Sequence, residues 1–177
     1  MTEPMIEPLT LDKSEWGDGP WQSEPDSEFW IDMASGFPGF ARRSEAFGCW
    51  CGYLGLPPKH PWFSLAVEHI PLLAPNDISA SGFAPIERGV KPVYRWLGFH
   101  CGHAGDYTPA IWPTLDHFLS PSLRLDAEVR GEYRDLEWVK SGVTIMALQA
   151  HHLDEWQEIR HRLIVAGLWI DVEGTDG

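Results

Sequence analysis

The sequence predicts an α+β domain in which a mostly antiparallel or mixed sheet packs against a C-terminal helix. Three observations carry that expectation. Residues Val93 to Cys101 alternate, with Val93, Arg95, Leu97, Phe99 and Cys101 on one face and Tyr94, Trp96, Gly98 and His100 on the other, which is the two-residue period of a strand. Residues Gly48 to Leu56 alternate in the same way, setting Trp50 and Leu54 against Cys49, Cys51 and Tyr53. From Glu132 the apolar spacing changes to three and four, through Leu136, Val139, Val143 and Met146, and predicts an amphipathic helix to about Ala150.

Taken in order, residues 1–20 mix Pro, Glu, Gly and Asp without a hydrophobic period, so an acidic, flexible segment is expected ahead of a single domain over 21–177. Gly36 to Phe40 is rich in turn residues. Pro57 and Pro58 end the first strand, and Pro61 biases His60 to extended geometry within a rigid loop. Ile78 to Ala84 is short and apolar enough for a further strand. Residues 102–126, punctuated by Gly102, Gly105, Pro109, Pro113 and Pro121, are expected to form a long covering loop. Gly142 weakens the predicted helix by about 1 kcal/mol relative to Ala. Leu153, Trp156, Ile159 and Leu163 keep helical spacing, and Leu163 to Val172 is expected as a last strand.

A chain of 177 residues that is 44% hydrophobic suits one domain with a proper core, and most of its ten tryptophans are expected in that core. The formal net charge is −13, and residues 1–36 hold nine acids against Lys13 alone. Such a balance disfavours nucleic acid and anionic membrane surfaces, which require Lys and Arg. With no apolar run of membrane-spanning length and an acidic start, a cytoplasmic location is expected. Three cysteines, Cys49, Cys51 and Cys101, do not make a disulfide framework.

The segment Trp96 to Asp106 concentrates the reactive side chains. His100, Cys101, His103 and Asp106 fall within seven residues, interleaved with Gly98, Gly102 and Gly105, at the point where a strand gives way to a loop. Imidazole, thiol and carboxylate serve as nucleophiles, bases or metal ligands, so the segment marks a candidate site.

Four stretches resemble a family of small uncharacterised bacteriophage and prophage proteins. They are Gly19-Pro20-Trp21 with Glu24-Pro25-Asp26; Cys51-Gly52-Tyr53-Leu54-Gly55-Leu56-Pro57-Pro58-Lys59-His60-Pro61; Trp96 to Asp106; and Tyr133-Arg134-Asp135-Leu136. Two departures stand out: the family usually has Asp where His100 stands, and His-Gly-Gly near Ser79-Ala80-Ser81. The resemblance leaves His60, His103 and Asp106 as the matched polar set.

The same residues are compatible with three chemistries. A divalent metal such as zinc or manganese could be held by His60, His100, His103 and Asp106. Metal-free acid and base work by His60 and His103, with Asp106 in support, would suit a histidine-dependent hydrolase; Cys101 as a nucleophile is a weaker variant. A ligand cradle would use the amides of Gly98, Gly102 and Gly105, the hydroxyls of Ser79 and Ser81, His100, and the faces of Tyr53, Trp62 and Trp96. The phage resemblance implies a counter-defence accessory protein that binds a small nucleotide-like ligand, such as a cyclic nucleotide or an ADP-ribose-type signal, as a homo-oligomer. A hydrolase of such a nucleotide is the alternative, and an acidic inhibitor of a host defence protein is the third reading.

Overall fold

The computed structural model describes residues 8–75, 77–86, 91–118 and 130–165. Five strands form one antiparallel sheet: β1 (Ser27–Ile31), β2 (Pro38–Arg43), β3 (Trp50–Leu56), β4 (Ala80–Pro85) and β5 (Val93–His100), in the order β1-β2-β3-β5-β4. The chain therefore leaves β3, forms the far edge as β4, and returns as β5 between them. Three α-helices follow among the described residues, α1 (Trp112–Phe118), α2 (Leu136–His151) and α3 (Leu153–Val165). The expected α+β class, antiparallel sheet and C-terminal helix are all present.

Sheet and helix meet because their periods agree on one face. Trp50, Leu54 and Leu56 on β3, and Leu97 and Phe99 on β5, pack with Val139, Val143, Met146 and Ala147 of α2 in one buried cluster. Asp135 begins α2 by accepting the Trp138 amide at 2.8 Å. The opposite sheet face carries a smaller aromatic cluster of Phe40, Trp96 and Ala84, flanked by Phe29, Tyr53 and Tyr94. Among the tryptophans, 16, 21, 50, 62, 96 and 156 are buried.

Three differences from the expected elements have physical causes. Strands β1 and β2 were not signalled, because β2 opens on Pro38-Gly39 and ends on two arginines. Arg43 is nevertheless only 1% exposed. Its guanidinium donates to Asp26 at 3.1 Å, Glu24 at 2.7 Å, the Gly48 carbonyl at 2.8 Å and the Tyr133 hydroxyl at 2.9 Å, and lies 4.3 Å from the centre of the Trp50 ring. Glu24 also receives the Tyr133 hydroxyl, the Trp50 indole and the Leu136 amide. The segment Glu24–Asp26 and Tyr133, far apart in sequence, are thus joined through one buried arginine.

The second difference lies in 102–126, where Trp112–Phe118 is helical rather than loop; residues 119–126 lie outside the described residues. The third is at the C-terminus: Leu163–Val165 close α3 instead of opening a strand, and the remainder of that expected strand, 166–172, lies outside the described residues. Within the N-terminal segment, residues 8–19 are tied down. Leu9 and Leu11 amides donate to Ser27 and Asp26, and Lys13 binds Asp26 at 2.7 Å and the Trp21 and Glu24 carbonyls. Among the described residues, no helix is long and apolar enough to cross a membrane.

Candidate functional site

The antiparallel register places Cys51 opposite both Arg42 and His100, so these three side chains share one row on the sheet face turned away from α2. The next row on that face sets Tyr53 opposite Phe40 and Gly98. An ideal Cβ at Gly98 would lie 2.4 Å from Tyr53 Cδ1, so the phenol ring occupies the space a side chain there would need. Between Tyr53 and His100 opens a cleft of about 260 Å³, walled also by Cys49, Cys51, Ser44 and Ser79.

Past β5 the chain continues the ladder by one bond, from the Cys101 amide to the Trp50 carbonyl. It then turns sharply, with Gly105 at φ +95° and Gly131 at φ +88° in close approach. Asp106 is the staple of this turn. Its carboxylate accepts the His103 amide at 3.2 Å and Arg134 Nε at 3.1 Å, while the Gly105 carbonyl accepts the Glu132 amide at 2.8 Å. The turn folds the His103 ring back over His100, with centroids 4.1 Å apart and planes 12° from parallel. His103 Nδ1 is buried and has no hydrogen-bond partner among the described residues.

The groups facing the cleft are held uncharged. Burial lowers the pKa of His100, with the neighbouring His103 acting in the same direction. Burial also raises the Cys51 thiol and the Tyr53 phenol, and pushes the Cys49 thiol up to about 12. At neutral pH the cleft therefore presents neutral imidazole, thiol, phenol and hydroxyl groups, all of which donate or accept hydrogen bonds without carrying charge. A thiolate nucleophile is not among them.

Comparison with protein-family models, with curated proteins and with solved structures finds no significant match. The site is therefore read from its own geometry.

The residues singled out from sequence divide into three groups. Tyr53, Ser79 and His100 line the cleft. Gly98 lies under the Tyr53 ring, Gly102 lies beside Cys49 and His100, and His103, Gly105 and Asp106 belong to the turn next to His100. Trp62, Trp96, Ser81 and His60 lie elsewhere. Trp62 is core; the Trp96 indole is buried and donates to the Ala84 carbonyl; Ser81 accepts from Arg95 Nε at 3.3 Å.

His60 is the main correction. It follows the end of β3 opposite to Cys51, and its Nε2 meets the Ala150 carbonyl at the C-terminal end of α2, whereas Asp106 is bound to Arg134 just before the N-terminal end. At 1.5 Å per residue those two ends are about 24 Å apart. The expected sets of His60 with His103 and Asp106, for metal or for acid and base, do not converge. Among the described residues, no three His, Cys, Asp or Glu side chains form a group that could hold a metal ion. Cys101 as a nucleophile fares no better, being buried with its thiol raised by that burial.

Sequence reasoning missed Ser44, Cys49 and Cys51 as cleft residues. The shared face of Cys49, Cys51 and Tyr53 was readable from their spacing. That this face meets His100 depends on register, which the sequence does not print.

Proposed function

We propose that this chain is a binding protein for a small nucleotide-like ligand, whose base enters the cleft between Tyr53 and His100. In keeping with the resemblance to phage proteins, its role would be to sequester a nucleotide-derived signal rather than to destroy it. The observation that carries this reading is one cleft walled by the half-buried Tyr53 phenol and the His100 imidazole, with the His103 ring stacked on His100 at 4.1 Å. About 260 Å³ is somewhat below the roughly 300–1,000 Å³ of sites for whole drug-sized ligands, and suits one planar ring with the rest of the molecule outside. Uncharged hydroxyl, thiol and imidazole groups match the donors and acceptors on a base edge. A hydrolytic reading that pairs His60 with His103 as acid and base loses one of the two, since His60 sits at the far end of α2.

The test is recovery of the ligand. The full chain is incubated with cyclic dinucleotides and cyclic ADP-ribose isomers, separated from free ligand, denatured, and the released compound identified by mass. Intact ligand, lost in His100→Ala, is the expected result. Release of a cleaved product would replace sequestration by hydrolysis, and retention of none of these compounds would end the nucleotide reading.

A further inference from the structure

A second depression of about 350 Å³ adjoins the cleft toward β2, sharing the walls Ser44, Cys51 and Tyr53 and adding Arg42, Arg43 and Glu45. Register explains the adjacency, since Arg42, Cys51 and His100 are direct cross-strand neighbours on β2, β3 and β5. With strands about 4.8 Å apart, the row spans roughly 10 Å from Arg42 to His100. One end of this groove is aromatic and neutral, and the other carries a cation.

The two adjacent arginines of β2 differ sharply in what neutralises them. Arg43 points to the α2 side, where Glu24 and Asp26 take up its charge in a buried network. Among the described residues Arg42 pairs with Glu45 alone, at 3.6 Å, with the side chains 37% and 66% exposed. An exposed pair at that distance holds little energy and is readily exchanged for a better anion. Guanidinium is also the side chain best shaped to bind two phosphate oxygens at once. In a chain of net charge −13, which repels anions at long range, an anion needs such a local contact.

We propose that Arg42 is a phosphate-binding residue and that the groove selects phosphorylated nucleosides over nucleosides. The ring lies between Tyr53 and His100, and the phosphate displaces Glu45 from Arg42. This inference rests on the base-binding reading of the cleft, and it adds the charge of the ligand and the residue that reads it.

Equilibrium dialysis of the full chain against matched pairs separates the two ideas. The probes are adenosine with AMP, guanosine with GMP, cytidine with CMP and uridine with UMP. For at least one pair the monophosphate is expected to bind about tenfold tighter than its nucleoside, the scale of one charge-assisted hydrogen bond. Arg42→Ala should remove that difference and leave the nucleoside affinity within about twofold, while Arg42→Lys keeps part of it. Glu45→Gln should widen the difference by freeing the guanidinium. Equal binding of nucleoside and monophosphate overturns the role of Arg42 while leaving the ring site standing. Equal weakening of both by Arg42→Ala also overturns it, since the residue would then be holding the fold of the groove. Binding of neither member of any pair overturns this inference, and with no cyclic dinucleotide or cyclic ADP-ribose isomer retained it overturns the base-binding reading as well.

Discussion

His60 uses both ring nitrogens inside the protein. Nδ1 accepts the Trp62 amide at 3.1 Å, which leaves the proton on Nε2 to be donated to the Ala150 carbonyl at 2.9 Å. Protonation would cost the Nδ1 bond, and burial lowers the pKa of the ring. The unfolded chain therefore takes up the proton more readily than the folded one. Stability from this group is complete above the unfolded value of about 6.5 and declines as pH falls through the lower folded value. Thermal unfolding followed from pH 7.5 to pH 5 should show a falling midpoint, and the slope should be smaller in His60→Phe, which has no proton to take up. His100 adds to the slope in the same sense, so the variant keeps part of it. An unchanged slope would show that His60 is not held as its two bonds imply. The contrast between His60 and His100 also marks the limit of the sequence at this scale. Both are histidines beside a strand end, and only the register and the path of α2 reveal that one closes the core while the other faces a cleft.

At the scale of elements, legibility followed the hydrophobic period. Strands β3 and β5 and helix α2 bury a regular apolar set, so their spacing announced them. Strand β2 buries an arginine, and what makes this tolerable is the carboxylates of Glu24 and Asp26, with the neutral hydroxyl of Tyr133 ninety residues away, so no local pattern could signal it. Gly142 shows the same dependence on distant partners. Propensity alone makes Gly142→Ala stabilising by about 1 kcal/mol. In the fold, however, a Cβ there would sit 2.8 Å from Pro75 Cγ and 3.0 Å from Phe99 Cζ, against a rigid ring and a buried core side chain. Neither neighbour is the free end of a flexible chain. Overpacking typically costs about 1–3 kcal/mol and outweighs the propensity gain. Gly142→Ala is therefore expected to lower stability in denaturant titration, and a higher midpoint would mean that α2 can withdraw from β5 at little cost.

For the molecule as a whole, the distribution of charge decides how it responds to salt. A net charge of −13 on 177 residues makes the surface repel itself, which favours expansion. Opposing this, the ion pairs that join the N-terminal segment to β2 are withdrawn from solvent: Arg43 with Glu24 and Asp26, and Lys13 with Asp26 at 2.7 Å. Salt at about 0.15 M screens exposed charges beyond roughly 8 Å and acts far less on buried contacts. Repulsion is thus weakened while the pairs that tie the chain together persist. Raising sodium chloride from low to moderate concentration should increase the thermal midpoint, and the increase should survive Arg162→Gln, which removes an exposed helical pair with Glu158. A midpoint that falls with salt would instead assign the stability of this acidic chain to its exposed ion pairs, against the burial of Arg43 and Lys13.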